Sequence, residues 1–123
     1  MQVRQEREQA GAMATVTGPG WHRGGETPVW RGGHIVQAGL WGLFRPEVDS
    51  NRLELVALVE TGENGWTWEV ALVDAYRCGA KTALAAMDAA VEQLRAGAGQ
   101  ARDERRALAL LRRWSVGATR AAA

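Results

Sequence analysis

Gly65-Trp66-Thr67-Trp68-Glu69-Val70-Ala71-Leu72-Val73, followed closely by the alanine-rich run from Thr82 to Ala96, narrows the folds open to this chain. Indoles alternating with Thr and Glu read as a half-buried strand that lays large aromatics on one face, and the Ala/Leu run reads as the helix covering them. Asn64-Gly65 is a tight-hairpin signal, because both positions accept a positive φ. The run from Leu53 to Glu60 is therefore expected as the antiparallel neighbour of Trp66 to Val73, and His34 to Phe44 supplies a third strand.

Alternation places Leu53, Leu55, Ala57 and Val59 on one face of the middle strand and Trp66, Trp68, Val70 and Leu72 on one face of its partner. The opposite faces, carrying Glu54, Glu60, Thr67 and Glu69, are expected in solvent. Residues 17–33 are rich in Gly and contain Pro19 and Pro28, so they read as an irregular lead-in pinned by Trp21 and Trp30.

Thr82 is placed to cap a helix, Leu84, Met87, Val91 and Leu94 recur on one stripe of it, and Gly97 supplies its stop. A second helix is expected from about Gln100 to Trp114. Ala107, Leu110, Leu111 and Trp114 line one side of it, and Arg102, Arg105, Arg106, Arg112 and Arg113 the other, at about 100° per residue. The expected fold is α+β: a three-stranded antiparallel meander covered on one face by the alanine-rich helix, with a C-terminal basic amphipathic helix. Residues 1–16 read as a flexible N-terminal extension, 17–114 as a single α+β domain and 115–123 as a disordered tail; Met13 is an alternative start.

A chain of 123 residues buries enough surface to fold without a staple or cofactor, and none is expected. The single cysteine, Cys78, excludes an internal disulfide and fits a reducing, cytoplasmic compartment. The polar residues 1–12 do not form a secretory signal, and no apolar run reaches the roughly 18 residues of a membrane span.

The residues that carry catalysis elsewhere do not assemble into a signature. Cys78 with His22 or His34 contains the elements of a nucleophile and base, but a lone Cys in a turn is more often a small filler. These three residues lack the spacing of a zinc site, so no metal is expected. Gly79-Ala80-Lys81-Thr82 is similar to the end of a phosphate-binding loop, yet Ala80 separates Gly79 from Lys81, where that loop requires Gly-Lys. Paired carboxylates are plentiful, but nothing in the pattern moves one into an apolar pocket. The expectation is a non-enzymatic protein.

Charge points to binding. Residues 47–74 carry seven acids against Arg52 alone, and residues 101–123 carry six arginines against Asp103 and Glu104. Such asymmetry concerns partners rather than fold. The acidic set Glu47, Asp49, Glu54, Glu60, Glu63 and Glu69, with Trp66 and Trp68 as aromatic anchors, is expected to meet a protein partner with a basic surface. The alternative is nucleic acid gripped by Arg102, Arg105, Arg106, Arg112 and Arg113, whose guanidiniums suit phosphates. The apolar side of the second helix suits a second copy as well as its own sheet, so a homodimer also fits.

Two resemblances attach to residues 66–94. The order Trp68-Glu69-Val70, Lys81-Thr82-Ala83, then Ala89-Ala90-Val91-Glu92-Gln93-Leu94 resembles the last strand and helix of double-stranded-RNA-binding domains. That family carries a lysine cluster at the helix start, whereas Lys81 stands alone here and Asp88 follows. The Trp-x-Trp meander with an alanine-rich helix is also similar to small accessory proteins of bacteriophages and other mobile elements, anti-CRISPR inhibitors among them. This resemblance implies action by binding, with an acidic sheet face occupying the nucleic-acid groove of a host enzyme.

Overall fold

The computed structural model describes residues 16–48, 50, 52–62, 65–72 and 76–122. The chain folds as α+β around one antiparallel sheet of five strands in sequence order, β1 (Gly20–Arg31), β2 (His34–Pro46), β3 (Leu53–Gly62), β4 (Gly65–Val70) and β5 (Tyr76–Ala80). Two helices follow, α1 (Ala83–Ala96) and α2 (Glu104–Ala122). The three strands read from the sequence are β2, β3 and β4, and the sheet gains one strand at each edge.

The additions correct two expectations. The Gly-rich stretch taken as an irregular lead-in is β1, paired with β2 from Gly20↔Phe44 to Arg31↔His34. Tyr76–Ala80 forms the opposite edge against β4. The expected β3–β4 hairpin is present, with Gly62 opposite Gly65 and Gly65 at φ +99°.

Register fixes the two faces. Trp41, Val59 and Trp68 stand opposite one another across β2, β3 and β4, as do Leu43, Ala57 and Val70. Leu40 with Glu60 and Gly42 with Leu58 point to the other side. A register shift at Leu43/Phe44 leaves Val56 as the extra residue of β3, because Leu43 pairs with Ala57 and Phe44 with Leu55. That bulge splits the single face expected of β3: Leu53 and Leu55 join Leu58 on the first side, while Ala57 and Val59 lie on the second.

Each face carries its own helix. α2 lies on β1, β2 and β3 of the first face, where Leu40, Phe44, Leu55 and Leu58 meet Ala107, Leu110 and Trp114. α1 lies on β3, β4 and β5 of the second, where Val59, Val70 and Leu72 meet Ala86 and Ala90, with Trp66, Trp68, Met87 and Leu94 packed around them. The fold is thus helix on sheet on helix, with the helices diagonally offset.

Thr82 caps α1 as expected, its Oγ1 accepting from the Ala85 N–H at 3.1 Å. The buried stripe is centred on Ala86 and Ala90, and Leu84, placed on it by the sequence reading, is exposed. Alanine lets the helix axis approach a sheet already raised by two indoles. Gly97 ends α1, its N–H donating to the Gln93 carbonyl at 3.0 Å. α2 continues past Trp114, where the sequence reading ended it, and Ser115, assigned to a disordered tail, is buried within it. The N-terminal extension expected over residues 1–16 lies, apart from Val16, outside the described residues. Val16 packs on the first cluster.

Candidate functional site

Glu60 and Glu69 belong to the first face, because Glu60 continues the alternation from Leu58 and Glu69 stands opposite Leu58. That is the face α2 covers, so the carboxylates expected in solvent meet the helix that carries the arginines. Glu69 is shared: Oε1 accepts from Arg106 Nη1 and Oε2 from Arg113 Nη1, both at 2.8 Å. Arg113 also pairs with Glu60. Glu54 binds Arg45 and Arg102, each at 3.2 Å.

The side chains of Glu54, Glu60 and Glu69 keep only 11%, 21% and 19% of their exposure, so these carboxylates feel their arginines through less screening than bulk water gives. Burial lowers the Arg113 guanidinium from its ordinary value by penalising its charged form, and two carboxylates face that charge. Removing one member of this network leaves its partly desolvated partners short of a counter-charge, which costs stability.

The two surfaces that the sequence offered to separate partners therefore face each other. Of the acidic set, Glu54, Glu60 and Glu69 are held inside the molecule, Glu47 lies half-buried beside the start of β3, and Asp49 and Glu63 lie outside the described residues. Of the arginines, Arg102, Arg106 and Arg113 reach these carboxylates, Arg113 while 43% exposed, and Arg105 and Arg112 are exposed on the outer side of α2. The spacing of Arg106 and Arg113, two turns apart on one side of the helix, was a usable signal that they meet a common partner.

Trp66 and Trp68 are half-buried in the second cluster beside α1. They share that cluster with Trp21, Trp41 and Leu43, which sequence reasoning did not assign to a site. Trp21 stands opposite Leu43, and Trp41 opposite Val59, so these three side chains occupy the β1–β2 half of the second face. Among the described residues α1 packs mainly on β3, β4 and β5, and α2 lies on the first face, so neither helix is centred over that half. The Trp66 ring reaches across β3 to lie against Gly39, where a Cβ would come within 3.0 Å of it. The result is a tryptophan-lined shelf beside α1, continuous with the β1–β2 hairpin, which runs beyond the end of β3 to the exposed Ile35.

Cys78 is exposed on β5, at the opposite edge of the sheet from His22 on β1. His22 Nε2 hydrogen-bonds the Gly18 carbonyl at 2.7 Å. Among the described residues no group of three His, Cys, Asp or Glu side chains is placed to hold a metal ion, and no helix is long and apolar enough to cross a membrane. Comparison with protein-family models, with characterised proteins and with solved structures finds no match.

Proposed function

We propose that this chain is a non-enzymatic protein-interaction module whose main contact surface is the shelf of Trp21, Trp41 and Leu43. The observation that carries this reading is the β1–β2 half of the second sheet face, where among the described residues no helix is centred over the large, partly buried side chains beside α1. Tryptophan is strongly enriched among residues that dominate binding energy, because it covers much area with few rotatable bonds and keeps one donor at its edge. The finer reading, an inhibitor filling the nucleic-acid groove of a basic enzyme, relies on an acidic face. Three of the carboxylates that would form that face are held by the chain's own arginines, so the shelf takes precedence.

A second reading, nucleic-acid binding through α2, is supported by the outward exposure of Arg105 and Arg112. It requires a steep loss of affinity with salt, because each neutralised phosphate releases counterions.

The test is capture from a bacterial lysate, run with and without nuclease, by the tagged full-length protein, beside a Trp41→Gln, Leu43→Lys variant and an Arg105→Glu, Arg112→Glu variant. Each variant is first checked for an unchanged circular dichroism spectrum. A protein retained at stoichiometric yield by the parent and the arginine variant, and lost with the shelf variant, supports the proposal. Recovery abolished by nuclease, or lost only with the arginine variant, transfers the function to α2 and nucleic acid.

A further inference from the structure

A second surface, independent of the shelf, lies where the N-terminal turn of α2 crosses the start of β3. It is an open groove of about 230 Å³ with Leu53, Leu108 and Leu111 among its walls. Leu108 is 41% exposed there although it sits on the helix that carries the core residues Ala107 and Leu110. Pockets for whole small molecules usually start near 300 Å³, so this groove has room for one side chain.

Its electrostatics are one-sided. The groove is lined by Glu47, Glu54 and Glu104 against the single guanidinium of Arg102. Glu54 is satisfied by Arg45 and Arg102. Glu104 shares Arg102 at 2.9 Å and leaves most of its side chain exposed at the mouth. Glu47 is half-buried, and its carboxylate has no partner among the described residues; only its backbone N–H is engaged, donating to the Arg52 carbonyl at 2.8 Å. An unpaired carboxylate beside an apolar wall attracts a cation whose stem is aliphatic.

We infer that this groove docks one lysine or arginine side chain, carried between aliphatic residues on a segment of a protein partner. The cation lies between Glu47 and Glu104, its stem runs along Leu53 and Leu111, and a flanking aliphatic residue covers Leu108. Arg102, tied to Glu54 and Glu104, holds both carboxylates in place and repels an anionic guest.

The probe is the capped tripeptide Leu-Arg-Leu, titrated into the isotope-labelled full-length protein and followed by NMR, with capped Leu-Glu-Leu as the control. Saturable shifts at the methyls of Leu53, Leu108 and Leu111 and the amide of Glu47, seen with the cationic peptide alone, are the expected result. Glu47→Gln should weaken that binding about two- to fivefold, the range of an exposed ion pair, and Leu108→Ser should weaken it in a protein whose spectrum is otherwise unchanged. Equal shifts with the acidic peptide, no shifts in the groove, or shifts on the Trp21 and Trp41 shelf instead would overturn the inference. Because the peptide contains no aromatic and the shelf no described carboxylate, failure here leaves the shelf proposal standing, and the reverse holds.

Discussion

The indole N–H of Trp114 donates to the backbone carbonyl of His22 at 3.1 Å, joining residues 92 apart in the chain. This bond sets how α2 sits on the sheet. The ring is fully buried, meets Phe44 edge-on at 4.9 Å between centroids, and lies directly over the backbone of Gly24 and Gly42. A Cβ at Gly42 would fall 2.7 Å from the indole, and one at Gly24 2.8 Å. Both neighbours are part of a buried, close-packed layer with little room to give.

Gly42→Ala is accordingly expected to destabilise the protein by about 1–3 kcal/mol, as overpacking does, and Trp114→Ala by about 3–5 kcal/mol through the cavity it leaves. In the Trp114→Ala background the Gly42→Ala penalty should shrink, because the clashing ring is gone. Urea unfolding of the two single variants and the double variant measures this coupling.

That relationship also explains which parts of the fold were legible in the sequence. β4 and the β3–β4 hairpin were legible because Trp66, Trp68 and Val70 alternate without interruption and Gly65 marks the turn. β1 was not, since glycine and proline read as loop; Gly24 is glycine because an indole from the far end of the chain rests on it. β5 escaped notice because Tyr76, Arg77 and Cys78 form an exposed edge with no buried alternation to detect. The extra residue at Val56 broke the pattern from which the faces of β3 were read.

For the site, residue types were legible and pairing was not. The acids and arginines were identified, but no periodicity within β3 or β4 says which helix will cover which face. Both helices had an apolar side, and both faces of the sheet had room for one. The shelf was hidden for the same reason as β1, because Trp21 acquires a face only once its strand is recognised.

Thr82→Ala should cost about 1 kcal/mol, since the hydroxyl at 3.1 Å from the Ala85 N–H is lost from the first turn of α1. Thr82→Asp should retain most of the stability, because its carboxylate accepts the same bond and favours the positive end of the helix. Thermal unfolding of the three proteins distinguishes a capping role from a packing one, in which Asp would be as harmful as Ala.

Cys78 is exposed on an edge strand, so a thiol reagent should label it in the native protein at a rate close to that of a free thiol. The melting temperature of the labelled protein should move by no more than a degree or two, since surface changes usually stay within about 0.5 kcal/mol. Labelling only in denaturant would show that the edge is covered in solution.

The acidic sheet face and the arginine helix are partners within one molecule. A double-mutant cycle at Glu69→Gln and Arg113→Gln, read by urea unfolding, measures it. The predicted result is that each single change destabilises the protein and that the pair couples by about 0.5–3 kcal/mol, the range for contacting residues in one network. Strictly additive effects, with both single variants as stable as the parent, would contradict it and return Glu60 and Glu69 to solvent, where a partner could reach them.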